Sequence, residues 1–243
     1  MFFTYVYYAS YIILIPGILF SLWAQVRVQS TYAKHSKVYA SSGWNGNEMS
    51  QMLIVKYDLN GVVVQPIGGK LTDNYDPKTD ILNLSQEVYG GTSVAALGVA
   101  AHECGHAVQQ HNNYFPIKLR QILVPVTNIG SRLAIPVAIV GLLIEWIASS
   151  VSVAGIGEFI LELGVVLYSL TTIFALITLP VEINASKRAG KMLEETGVLY
   201  GEELRGAKSV LYAAALTYMA SLLVSFLYLF RFLIIIGSLR KKD

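Results

Sequence analysis

Four long runs of hydrophobic residues alternate with polar segments along this 243-residue chain. A helix that crosses a lipid bilayer needs about 20 mainly apolar residues, and each of the four runs is long enough. The pattern therefore predicts four transmembrane helices, at 2–24, 121–150, 156–179 and 210–239. The first run has no basic segment before it and no small-residue cleavage site after it, so we interpret it as a retained span rather than a signal peptide.

The runs and the polar segments divide the chain into five parts, at 1–26, 27–120, 121–180, 181–209 and 210–243. The third part is expected to be a transmembrane hairpin whose helices are joined by a short polar link at 149–157. Because two spans separate the polar segments 27–120 and 181–209, both are expected on the same side of the membrane. Pro180 suits the first turn of a short amphipathic helix at 181–209, since its missing N–H costs little there.

The polar segment 27–120 is the only stretch long enough to form a domain, and its pattern predicts an α+β structure. Its expected elements are a helix at 44–58, a strand at 62–67, a turn-rich loop at 73–80 and a second strand at 81–84. Thr92 or Ser93 can then cap a longer helix that extends to about His111. The segment is thus predicted to have two strands followed by a long helix.

The long helix contains the sequence His-Glu-Cys-Gly-His at 102–106. Positions four apart lie on one face of a helix, so the imidazoles of His102 and His106 can bind a single zinc ion. Glu103 is then placed to act as a general base that takes a proton from water activated by zinc. In a chain with only four His, this spacing favours a metal site over two packed histidines. Gly105 would let another strand or a substrate backbone approach the helix closely.

A third ligand is expected elsewhere on the same side of the membrane, because a catalytic zinc ion usually has three protein ligands and one open position. Glu182 is the strongest candidate, since it is expected in the first turn of the helix that follows the third span. His111 is rotated away from the two other histidines and is expected to be solvated. The remaining downstream carboxylates are expected to form an ordinary charged surface: Glu194, Glu195, Glu202 and Glu203.

Two blocks of the sequence together resemble the membrane zinc metallopeptidases of the YugP type. The first comprises 72–77, Leu84–Ser85, Val88–Tyr89 and 99–109, and the second is Leu-Pro-Val-Glu-Ile-Asn-Ala-Ser-Lys-Arg-Ala at 179–189. The resemblance covers nearly the whole chain and implies a gluzincin-like peptidase. It also implies that His102, His106 and Glu182 bind one zinc ion per chain and that Glu103 is catalytic.

The resemblance also concerns the residues that support the ligands. In the distantly similar heat-shock membrane proteases and prenyl-protein proteases, an Asp commonly follows the glutamate ligand by four residues. Ser186 occupies that position here, and a serine cannot orient a ligand histidine with a charged hydrogen bond. Asn184 is therefore a candidate for the supporting role, alongside Ser186.

Composition and charge narrow the class of protein and suggest its orientation. Only 14% of the residues are charged, against about 25% in soluble proteins, and the net charge of +2 gives no reason to expect a nucleic-acid partner. A single cysteine excludes an intrachain disulfide. Lys and Arg lie near the membrane ends of both polar segments, and the first span and the hairpin link contain none, which predicts a cytoplasmic catalytic side. The basic tail at 240–242 opposes this orientation.

These observations predict an α-helical protein with about four transmembrane helices and a small α+β gluzincin-like metallopeptidase domain. The expected location is a bacterial-type cell membrane. The expected substrate is a peptide or protein, including one associated with the membrane, and an extended substrate could pair with one of the two predicted strands. The alternative is a zinc-binding membrane scaffold or regulator without proteolytic activity. A transporter that uses Arg132, Glu162 and Arg231 is disfavoured, because the sequence has no internal repeat.

Overall fold

The computed structural model describes residues 2–148 and 155–240 and is mostly helical. In chain order the elements are α1 (Phe2–Ala9), a 3₁₀ segment (Ser10–Leu14), α2 (Ile15–His35), α3 (Gly46–Lys56), β1 (Val63–Ile67), β2 (Asn74–Asp76), β3 (Ile81–Ser85), α4 (Gln86–Tyr89), α5 (Val94–His111), α6 (Phe115–Ala148), α7 (Ile156–Thr196) and α8 (Gly201–Arg240). Most of the expected hairpin link and most of the basic tail lie outside the described residues.

Four helical segments are long and apolar enough to cross a membrane: Tyr7–His35, Phe115–Ile144, Ile156–Thr196 and Gly201–Ser238. They coincide with the four hydrophobic runs, although each helix continues beyond the run into polar sequence. α7 is a continuous helix of 41 residues with Pro180 inside it. The expectation that a separate helix begins at Pro180 is therefore wrong. The segment 181–209 instead comprises the end of α7, a turn, and the beginning of α8.

The chain forms two compact units, and the first contains residues 1–22, 119–178 and 219–243. Small residues allow close helix packing in this unit: a Cβ at Gly164 would lie 3.2 Å from the Cβ of Ala138. Arg231 on α8 donates from Nε to the hydroxyl of Ser10 at 3.2 Å, and its guanidinium lies over the rings of Tyr7 and Tyr11. Arg231 thus contacts polar and aromatic residues of the N-terminal segment, as expected for an arginine within a long apolar helix.

The second unit contains residues 23–118 and 179–218 and includes a three-stranded sheet in the order β1-β3-β2. β1 is parallel to β3, and β2 is antiparallel to it. The two strands expected from the sequence are present. The stretch 73–80, expected as a loop, contains β2 as a third strand. Tyr75 explains the difference, because it pairs with Leu82 and is buried like a core residue.

α5 is the central helix of this second unit, and most of its residues are buried. It begins where expected, since the Ser93 hydroxyl accepts a hydrogen bond from the N–H of Ala96. α3 packs against it through Met49 and Leu53, both fully buried. α3 itself spans Gly46–Lys56 rather than 44–58, because Asn45 and Glu48 form a capping box that fixes the helix start.

Candidate metal centre

α5 and α7 bring together three side chains that could hold a metal ion. One ligand atom each from His102, His106 and Glu182 can be chosen so that all lie within 4.8 Å of one another. The Nε2 atoms of His102 and His106 lie 3.3 Å and 3.4 Å from Oε2 of Glu182. Glu182 is 2% exposed, so its carboxylate is buried against the two imidazoles. A carboxylate in such a place needs a compensating charge or hydrogen bonds.

The close approach of α7 to α5 depends on Gly105. A Cβ at this position would lie 2.7 Å from the carbonyl oxygen of Ala185 on α7, closer than real Cβ atoms approach such groups. A glycine was expected here to admit a strand or a substrate backbone. The structure shows that the neighbouring element is instead a helix, the one that contributes Glu182.

Each histidine has a second polar neighbour on the side away from Glu182. Nδ1 of His102 lies 3.3 Å from the hydroxyl of Ser186, and Nδ1 of His106 lies 3.0 Å from Oε1 of Gln109. Metal-binding histidines commonly have such a partner on the second ring nitrogen, which fixes the orientation of the ring. Ser186 therefore lies where a supporting residue was expected.

Gln109 was not identified from the sequence. Its side chain is fully buried, and Nε2 donates to the carbonyl oxygen of Val181 at 2.8 Å and to Oδ1 of Asn184 at 3.0 Å. Asn184, the other expected supporting residue, thus meets the site through Gln109. The only signal in the sequence is that Gln109 follows His106 by three positions, which places both on one face of α5.

Glu103 lies beside the three candidate ligands, on the side of the sheet. It is 8% exposed, and Oε2 accepts a hydrogen bond from the backbone N–H of Tyr75 on β2 at 3.0 Å. Burial raises the pKa of Glu103 to about 7, and the neighbouring His102 opposes that effect. A carboxyl with this pKa exchanges protons readily near neutral pH.

Asp73 holds the chain that precedes β2 in place. Its carboxylate accepts hydrogen bonds from the backbone N–H of Ser85 at 2.7 Å and from the Ser85 hydroxyl at 3.1 Å. Burial raises the pKa of Asp73, and the hydrogen bonds from Ser85 oppose that effect. Because Asp73 lies two residues before Tyr75, this contact helps to position the N–H that meets Glu103.

The other residues weighed as ligands have different partners. His111 lies at the end of α5, with Nε2 3.7 Å from Oδ1 of Asp80. The four downstream carboxylates make contacts typical of a charged surface, with Lys208 for Glu194, Tyr57 for Glu195, Arg205 for Glu202 and Ser41 for Glu203.

Comparison with other proteins gives a family match and a similar sequence that cover most of the chain. A family described as "Putative neutral zinc metallopeptidase" matches residues 10–237. The chain is also 41% identical over 226 residues to "Putative membrane protease YugP" of Bacillus subtilis (strain 168), an alignment that covers 92% of this chain and 94% of that protein. No solved structure matches the chain.

Proposed function

The chain belongs to the neutral zinc metallopeptidase family, and from that premise we propose that it is a membrane-embedded zinc metallopeptidase that hydrolyses peptide bonds. Its zinc ion is held by His102, His106 and Glu182, one ion per chain. The observation that carries the proposal is the convergence of these three ligand atoms within 4.8 Å, next to the buried carboxyl of Glu103.

The donor set fits zinc. Two imidazole nitrogens and one carboxylate oxygen are the ligands of many catalytic zinc sites, which keep a fourth position open. Ser186 and Gln109 occupy the Nδ1 sides of the two rings, so each Nε2 is directed toward Glu182. When bound, zinc supplies Lewis-acid chemistry, which lowers the pKa of water and polarises a carbonyl.

Glu103 moves the proton. The Tyr75 N–H occupies Oε2, which leaves Oε1 to take a proton from the water that attacks the peptide carbonyl. Burial raises the proton affinity of this carboxyl, so it can accept the proton and then return it to the leaving amine. Tyr75 keeps the carboxyl group oriented while the proton moves.

The decisive experiment measures zinc content and casein cleavage on the same purified samples. Wild type is compared with Glu182→Gln, Glu103→Gln and a matched control, Glu194→Gln. Glu194 lies on the same helix as Glu182 and pairs with Lys208 at the surface. We expect about one zinc per wild-type chain, retention of zinc without cleavage in Glu103→Gln, loss of zinc in Glu182→Gln, and wild-type behaviour in the control.

Two results would contradict the proposal in different ways. Full zinc content in Glu182→Gln would exclude Glu182 as a ligand. Zinc in wild type with no cleavage of casein or of membrane-inserted peptides would favour the scaffold or regulator, for which Glu103 has no chemical role.

A further inference from the structure

A series of hydrogen-bonded side chains connects His106 to Arg188, on the side of the His106 imidazole that faces away from Glu182. Nδ1 of His106 lies 3.0 Å from Oε1 of Gln109. Nε2 of Gln109 lies 2.8 Å from the carbonyl oxygen of Val181 and 3.0 Å from Oδ1 of Asn184. Nε of Arg188 donates to the same Asn184 oxygen at 2.8 Å. The series joins the helix of the two histidines to the helix of Glu182.

The direction of every hydrogen bond in the series follows from two groups whose roles are fixed. An arginine can only donate, so the atom of Asn184 that faces Arg188 is its oxygen. A backbone carbonyl can only accept, so the atom of Gln109 that faces Val181 is its nitrogen. The oxygen of Gln109 therefore faces His106, and Nδ1 of His106 must carry the hydrogen.

In a neutral histidine whose Nδ1 carries the hydrogen, Nε2 is the nitrogen that can bind a metal ion, and in His106 this is the atom that faces Glu182. We propose that Gln109 is the positioning residue of the metal centre, which holds His106 in its metal-binding tautomer and ties that ring to the backbone next to Glu182. The inference rests on the proposed zinc site. It concerns a residue that touches neither metal nor substrate and acts through His106.

The geometry distinguishes this role from ordinary packing. Gln109 is fully buried, and its oxygen and both amide hydrogens have partners. One end meets a ligand from α5, and the other meets Val181, the residue directly before the ligand from α7. Loss of the oxygen frees the ring of His106, whereas loss of the amide nitrogen loosens only the connection between the helices.

The test is zinc affinity, measured by competition with a chelator on the full-length protein in detergent. Gln109→Met keeps the volume and removes all three hydrogen bonds, whereas Gln109→Glu keeps an acceptor for His106 and removes both donors. We expect Gln109→Met to bind zinc about 10- to 100-fold more weakly than wild type and Gln109→Glu to lie closer to wild type. Gln110→Met, one position along α5 and about 100° around the helix, is the control and should leave affinity unchanged.

A purely structural role predicts the opposite order, because the buried charge of Gln109→Glu next to a carbonyl is more damaging to packing than methionine. Equal zinc affinity in Gln109→Met and wild type, with both folded by circular dichroism, would overturn the inference and leave the zinc site intact. Wild type with no zinc affinity would overturn the proposed site itself, and the inference with it.

The tautomer is measured independently of zinc affinity by nitrogen NMR on metal-free protein labelled at its four histidines. We expect the His106 signal to show the hydrogen on Nδ1 in wild type and a mixture of tautomers in Gln109→Met. An Nδ1 of His106 that carries no hydrogen in metal-free wild type would also overturn the inference.

Discussion

Because Gly105 has no side chain, α5 and α7, the helices that contribute the candidate ligands, can come into contact. At Gly105 a methyl group would lie 2.7 Å from the Ala185 carbonyl oxygen and 3.3 Å from the Ala185 Cα. These are backbone atoms of α7, which cannot rotate away as the end of a side chain can. Because Ala185 lies three residues after Glu182, any shift of α7 at this contact also moves the carboxylate away from the histidines.

We therefore expect Gly105→Ala to destabilise the protein by about 1–3 kcal/mol, as overpacked cores do, and to reduce zinc content. Gly98→Ala is the matched control on the same helix, because its Cβ would lie at an ordinary 3.5–3.6 Å from Ala207. The control should be neutral or stabilising by up to about 1 kcal/mol, the helix propensity that alanine gains over glycine. Thermal unfolding in detergent and zinc analysis measure both effects, and equal behaviour of the two variants would contradict the role of Gly105.

Some residues of the candidate site could be predicted from the sequence because their relation is local. His102, Glu103 and His106 lie within one and a half turns of a single helix, so spacing alone places them together. Glu182 was the strongest candidate from the number of ligands that zinc needs and from its position after the third hydrophobic run, and the resemblance implied the same residue. Gln109 could not be found, because its contact with Val181 joins residues 72 positions apart and its own neighbours give no sign of burial.

Among the helices and strands, too, those determined by their own sequence could be predicted, whereas those that depend on distant neighbours could not. The strands at Val63–Ile67 and Ile81–Ser85 were predicted, since each has its own apolar pattern. β2 has only three residues and is a strand because β3 is beside it. Pro180 was expected to begin a helix but lies inside α7. A proline suits the first turn of a helix, and inside an apolar helix it is tolerated where neighbouring groups satisfy the backbone carbonyl that it leaves unpaired. Pro180 alone therefore does not fix where the helix begins.

The capping box at the N-terminus of α3 allows a test of how much this helix, which packs against α5, contributes to stability and to the metal centre. Asn45 accepts from the N–H of Glu48 at 2.9 Å, and Glu48 accepts from the N–H of Asn45 at 2.9 Å. Replacement of Asn45 by alanine should cost about 1 kcal/mol, because an N–H at the helix start then lacks its partner.

Asn47→Ala is the control for this cap, since Oδ1 of Asn47 is buried with no hydrogen-bond partner among the described residues. We expect little change in thermal stability for the control and unchanged zinc content in both variants. A loss of zinc in Asn45→Ala at temperatures where the protein remains folded would show that α3 supports the metal centre directly.

At the level of the complete chain, the unit that contains the candidate metal centre is made from two separate stretches. The chain leaves this unit after Lys118 and returns at Leu179. Between them lie α6 and the apolar part of α7, each long enough to cross a membrane. Two crossings return the chain to the side it left, so the two stretches can form one unit only if both helices cross or neither does.

The side of the membrane can be determined with single cysteines, because the native Cys104 is buried and gives little background. Val55 on α3 is 78% exposed, and Ile156 at the start of α7 is 51% exposed. The positive charges near the membrane ends of the two polar stretches predict that a cysteine at Val55 is cytoplasmic and one at Ile156 external. In intact cells a membrane-impermeant maleimide should therefore label Ile156→Cys, whereas it should label Val55→Cys only after the cells are lysed.

The reverse pattern would place the metal centre outside the cell, the orientation that the basic tail favours. Labelling of both cysteines from one side would contradict the two crossings.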